Sequence, residues 1–77
     1  MKYCMGCMEN IEDEVLQCPS CGFMQNNQNV QGLLQTGTIL QNRYIVGRSI
    51  GNGGFGVTYI GLDAQLKRKI AIKEFFP

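Results

Sequence analysis

Two C-x-x-C pairs stand within the first 21 residues, Cys4-Met5-Gly6-Cys7 and Cys18-Pro19-Ser20-Cys21. They use all four cysteines of the 77-residue chain. A segment of about 24 residues buries too little apolar surface to fold on its own core. A C-x-x-C turn sets two thiolates on one side of a tight loop. Two such turns facing each other make a closed tetrahedral site of the kind that binds structural zinc. Cys4, Cys7, Cys18 and Cys21 are therefore the candidate metal ligands, and four sulfurs leave no open position for catalysis. Metal binding would then supply the folding energy of this segment. Two disulfides, or redox-active thiols of the C-x-x-C type, are the alternatives.

Charge divides the chain further. In residues 1–24, Lys2 stands against Glu9, Glu12, Asp13 and Glu14, and four thiolates around a divalent ion would add to that negative balance. One lysine makes no basic stripe, which argues against nucleic acid as a partner. Glu12-Asp13-Glu14 reads as a solvated loop. Residues 25–42 carry no charge and open with Gln25-Asn26-Asn27-Gln28-Asn29, a composition that predicts a flexible linker in which Leu33-Leu34 forms a brief contact point. The N-terminus lacks the apolar run of a secretory leader, and nothing is long or apolar enough to span a membrane. The expected location is the cytoplasm, where cysteines bind metal more often than they form disulfides.

Residues 43–77 are basic and strand-like. Arg43 to Ile50 reads as a first strand with Tyr44, Val46 and Ile50 on one face, because even spacing shares a face. A glycine-rich turn follows, Gly51-Asn52-Gly53-Gly54-Phe55-Gly56. Val57 to Leu62 and Ile70 to Phe75 read as second and third strands, with a solvated turn over Asp63 to Lys69. The prediction is a three-stranded antiparallel meander, with Phe75, Ile72 and Ile60 among the residues of an uncovered apolar face. Glycine is the residue to use where backbone N–H groups must approach phosphate oxygens closely. Lys73, leaving the nearly apolar strand Ile70-Ala71-Ile72, would add a positive point charge. Phe55 would cap the tip. A dinucleotide fingerprint needs its glycines to open a helix, but Val57-Thr58-Tyr59-Ile60 continues as a strand. A P-loop needs Gly-Lys followed by Ser or Thr, and the chain has none. A glycine-rich hairpin without a ligand is the plain alternative.

Two resemblances follow from these residues. Tyr3 to Phe23 resembles the short bacterial zinc-ribbon modules with two cysteine knuckles. That family usually has glycine directly after the first knuckle, where this chain has Met8. Residues 37–77, with Gly-Gly-Phe-Gly-Val-Thr-Tyr and Ala-Ile-Lys-Glu-Phe-Phe-Pro, resemble the start of the small lobe of a bacterial serine/threonine protein kinase. Such kinases can carry an N-terminal zinc ribbon.

The kinase resemblance implies roles at matched positions. Gly51, Gly53 and Gly56, within the loop that also holds Asn52, Gly54 and Phe55, correspond to the phosphate loop. Ile50, Thr58 and Ala71 correspond to the residues that sandwich adenine, with Thr58 replacing the usual valine. Lys73 corresponds to the lysine on the α- and β-phosphates. Glu74 is excluded as its acidic partner, because strand neighbours point to opposite faces. The implied ligands are structural zinc and ATP with Mg²⁺. The implied parent activity is phosphorylation of protein serine and threonine.

The expected fold class is a small zinc ribbon (1–24), a Gln/Asn-rich linker (25–42) and the first three strands of a kinase small lobe (43–77), an incomplete α+β fold. The catalytic-loop and metal-binding aspartates of a kinase have no counterpart in these residues, so no catalytic residue is assigned. Taken alone, the chain is expected to be inactive in phosphoryl transfer. The competing reading is a non-catalytic zinc-ribbon interaction module with a kinase remnant, the ribbon facing a protein partner.

Overall fold

The computed structural model describes residues 1–75. Phe76 and Pro77, the end of the kinase-like run, lie outside them. The N-terminal part is two small hairpins built to one plan. In the first, β1 (Lys2–Tyr3) pairs antiparallel with β2 (Asn10–Ile11). In the second, a single antiparallel bridge joins Gln17 to Met24. Each hairpin closes around its C-x-x-C pair with matching backbone bonds. The amide of Cys4 donates to Glu9 O (2.8 Å) and that of Met8 to Cys4 O (2.7 Å). The amide of Cys18 donates to Phe23 O (3.0 Å) and that of Gly22 to Cys18 O (2.9 Å).

The remaining strands form one curled antiparallel sheet in the order β3 (Ile39–Leu40), β4 (Tyr44–Gly53), β5 (Gly56–Asp63), β6 (Arg68–Phe75). The sheet thus has four strands rather than the predicted three, because Ile39 and Leu40 pair with Ile45 and Tyr44 and add a short edge. Among the described residues, no helix is long and apolar enough to cross a membrane.

Alternation along the strands sorts the side chains into two faces. Val46, Val57 and Tyr59 form the buried core of one face, with Leu33, Leu34, Leu40 and Ile72 packed against it. Full burial of such side chains contributes about 1.5–3 kcal/mol each. The other face carries Thr58 opposite Lys73 and Ile60 opposite Ala71. Ile60 and Ile72 are therefore on opposite faces, not on one uncovered face as the sequence suggested. Ile72 is cross-strand from Tyr59, on the face that Leu33 and Leu34 cover.

The expected common face of Tyr44, Val46 and Ile50 is also broken. Two bulges, between Val46 and Ser49 and between Ser49 and Gly51, shift the register and leave Ile50 exposed. A bulge frees backbone groups that need other partners. Here Asn29 supplies them: its Nδ2 donates to Gly47 O (3.1 Å), and its Oδ1 accepts from the Ser49 amide (2.9 Å). Asn29 Nδ2 also donates to Leu34 O (2.8 Å). The Leu34 amide donates to the hydroxyl of Tyr59 (3.0 Å), which itself donates to Glu74 Oε1 (2.8 Å). Asn29, Leu34, Gly37 and Thr38 of the uncharged segment 25–42 therefore bond back to the sheet.

Asp63 departs from the predicted solvated turn. It ends β5 with 5% of its surface exposed. Its carboxylate takes both fork bonds of Arg43, at 2.9 and 2.8 Å, and also accepts from the amides of Gln65 and Leu66. These bonds, led by Arg43, pull its pKa down to about 2.

Candidate metal centre and glycine-turn cleft

The two hairpins face each other and bring Cys4, Cys7, Cys18 and Cys21 together, with all four Sγ atoms within 4.8 Å of one another. The Cys4–Cys21 and Cys7–Cys18 sulfurs are 3.6 and 3.8 Å apart. A tetrahedral ion with metal–sulfur bonds of about 2.3 Å has sulfur–sulfur edges of about 3.8 Å. The donor set and its spacing therefore fit a metal such as zinc.

Backbone amides point at the sulfurs. Gly6 N lies 3.2 Å from Cys4 Sγ, Ser20 N 3.3 Å from Cys18 Sγ and Phe23 N 3.5 Å from Cys21 Sγ. Such donors favour thiolate over thiol. The Cys21 amide, followed in weight by the Ser20 amide, brings the Cys18 thiol down to about 6 against the opposing effect of burial. Burial pushes Cys7 up to about 12. Four sulfurs this close cannot all be anionic by themselves, and a divalent cation removes that conflict.

The residue after each second cysteine is left-handed, Met8 at φ 62° and Gly22 at φ 82°. Gly22 adopts this freely, whereas a side chain at Met8 costs about 1–2 kcal/mol. Met8 is nonetheless 2% exposed. Its Cε, Ile60 Cγ2 and Met5 O all crowd the space above Gly47, where a Cβ would meet them at 2.7, 2.8 and 2.5 Å. Glycine at 47 is what lets the first hairpin approach the sheet.

Arg48 completes this junction. Its amide donates to Met5 O (2.8 Å) and its Nε to Gly6 O (2.9 Å), while Lys69 pairs with Glu9 at 2.9 Å. The first cysteine hairpin thus rests on the sheet face that also carries Lys73. Sequence reading singled out none of Met8, Gly47 and Arg48 as junction residues. Aligning the two hairpins, which sets Met8 against Gly22, is the signal that could have found the first.

At the other end of that face, β4 and β5 meet at a tight turn, with Gly53 opposite Gly56 and Gly54-Phe55 at the tip. Phe55 is 84% exposed. A cleft of about 240 Å³ under the turn brings together Gly53, Gly54, Phe55, Gly56, Thr58 and Lys73. Ile50, Gly51, Asn52 and Ala71 lie outside its lining. Gly51 sits opposite Thr58, Asn52 opposite Val57 and Ala71 opposite Ile60, and Ile50 occupies the second bulge. Among the described residues Lys73 has no ion-pair partner. Glu74 turns to the opposite face, where Tyr59 holds it.

Compared with known proteins, the chain is 34% identical over 76 residues to a serine/threonine-protein kinase, PknD, of Protochlamydia amoebophila (strain UWE25). The alignment covers 92% of this chain and 7% of that protein, so the chain spans a small part of the relative's length. No family model matches the chain, and no solved structure matches it.

Proposed function

We propose that the chain is the N-terminal portion of a bacterial serine/threonine protein kinase, a zinc ribbon seated on the first strands of an ATP-binding small lobe. The observation that carries this reading is the pairing of Thr58 with Lys73 under the glycine turn, on an open face. The similarity to a named kinase over nearly the whole chain supports it.

In this reading Cys4, Cys7, Cys18 and Cys21 hold a zinc ion whose role is structural. The backbone of residues 51–56 approaches the phosphates of ATP, and the Lys73 ammonium neutralises part of their charge. Thr58 and Ala71 border the base. Mg²⁺ would supply further charge neutralisation for the phosphates, with its protein ligands coming from outside these residues. The two aspartates of the sequence are both engaged elsewhere, Asp63 with Arg43 and Asp13 with the N-terminal ammonium at 3.2 Å. In this reading these residues grip a nucleotide, and none of them is assigned to phosphoryl transfer. Protein hydroxyls are the substrates proposed for the parent enzyme.

The test is calorimetric titration of the zinc-loaded chain with ATP and Mg²⁺, beside Lys73→Ala. Binding that Lys73→Ala weakens about tenfold or more, corresponding to at least about 1.4 kcal/mol, is the expected result. Binding that ignores the substitution, or no binding by either chain, would overturn the nucleotide reading and leave the ribbon as the working module.

A further inference from the structure

We infer that Gln25 is a positioning residue of the metal centre, a side-chain amide that donates directly to the Cys4 sulfur and tunes how the centre holds its ion. The inference rests on the metal reading above and goes beyond it, because Gln25 belongs to the polar run after the second hairpin and not to either cysteine motif.

The geometry assigns every polar atom of this side chain. Gln25 Oε1 accepts from the Met5 amide at 3.0 Å. Nε2 donates to Cys4 Sγ at 3.1 Å and to Phe23 O at 3.2 Å. Both amide hydrogens and the carbonyl are thus used. The Met5 N–H can be satisfied only by the oxygen, so the NH₂ end must face the sulfur. The Gln25 backbone is fixed as well, its amide donating to Leu16 O at 2.7 Å. In the folded centre the side chain is therefore fixed from both its amide ends and its backbone.

The repeat shows that this contact is particular to one cysteine. Superposing the two hairpins by sequence, with Cys4 on Cys18 and Met8 on Gly22, sets Gln25 against Ile11. Ile11 is buried in the small core with Cys4 and Cys18. One hairpin thus carries an apolar side chain at this position, and the other carries a hydrogen-bond donor. Cys4, which is fully buried, receives two N–H groups, from Gly6 and from Gln25. A sulfur without water around it depends on such donors to carry negative charge. The amide therefore withdraws electron density from the Cys4 thiolate and stabilises it as a ligand. It also ties the first knuckle to the chain that leads out to the sheet.

Residues that bond a metal ligand from behind typically change affinity 10–100-fold when replaced. Cobalt(II) is the probe, because thiolate-to-cobalt charge transfer reports the electron density on sulfur. Gln25→Glu keeps the oxygen that accepts from Met5 and removes the donor to Cys4. Gln25→Met keeps length and packing without the amide. Gln28→Glu, at an exposed position three residues on, controls for added charge. The expected result is cobalt affinity lowered about tenfold or more in both Gln25 variants, with the charge-transfer band moved to longer wavelength and Gln28→Glu unchanged. Where Gln25→Glu binds no cobalt at all, Gln25→Met decides: a shifted band supports the proposal and an unshifted one overturns it. A Gln25→Glu chain with the affinity and spectrum of the unaltered protein overturns the proposal. So does a weakened affinity with an unshifted band, which would make Gln25 a fold contact only. Failure of the unaltered chain to bind cobalt would instead sink the metal reading itself.

Discussion

The cysteine hairpins and the four-stranded sheet answer the same shortage of core in different ways. The hairpins bury Cys4, Ile11 and Cys18 as their centre, so sulfur serves where larger domains use leucine. Their order depends on four ligand atoms and a set of amides aimed at them. The sheet has strand pairing and a true apolar core of Val46, Val57 and Tyr59. It covers that core with the leucines of the segment that precedes it. A sheet of this size with one bare face would be marginal. With zinc as the proposed ion, the difference teaches that the hairpins should fail abruptly when it is lost, while the sheet should lose stability in steps, contact by contact.

Chelation is the strongest way to test that contrast. Removing the metal should unfold residues 1–24, since structural zinc supplies about 10–16 kcal/mol to small folds. Amide exchange should then accelerate at Cys4, Met8, Cys18 and Gly22, while β5 and β6 stay protected. Simultaneous exchange of all strands would show that the two parts are one cooperative unit and would break the comparison.

Gly47→Val attacks the junction between them. A side chain there meets Met5 O, Met8 and Ile60. The expected loss is about 1–3 kcal/mol from overpacking, several degrees in Tm. The Met5–Arg48 backbone bond and the Glu9–Lys69 pair should disappear from the spectrum of the metal-loaded protein. An unchanged Tm would mean the hairpins stand off the sheet in solution.

The smallest effect is confined to the sheet. Asp63 has its pKa lowered to about 2, chiefly by its bonds to Arg43. Its contribution is fully present above the ordinary carboxylate range near pH 4 and is lost as pH falls through about 2. Asp63→Asn should therefore lower the stability of β5 at neutral pH, and the gap to the unaltered protein should close on acidification toward pH 2. Amide exchange of β5 residues, which follows the sheet apart from the acid-sensitive sulfurs, is the measurement. A gap that does not narrow with acid would remove the ion pair from the account.

Much of the local architecture is legible in the chain. The spacing of Cys4, Cys7, Cys18 and Cys21 predicts two knuckles because a C-x-x-C turn has few ways to close. The alternation around Val57-Thr58-Tyr59-Ile60 predicts a strand, and the glycines predict the turn before it. The displacement of Ile50 is not legible, since bulges in β4 arise where Asn29 and the first hairpin take over backbone bonds from β5. Nor is the burial of Asp63, which needs Arg43 twenty residues away.

Sequence alone determined the elements whose bonds close within a few residues, the knuckles, the strands and the glycine turn, because short-range geometry is written as spacing. Only the tertiary structure decided that Gln25 and Asn29 of the polar run are held in place, that Met8 accepts a left-handed backbone to reach the sheet, and that the first hairpin shares a face with Lys73. Those outcomes rest on single amides and carbonyls meeting across long stretches of chain. Glutamine and asparagine look the same in a solvated linker as in a buried bond, and only their partners distinguish the two.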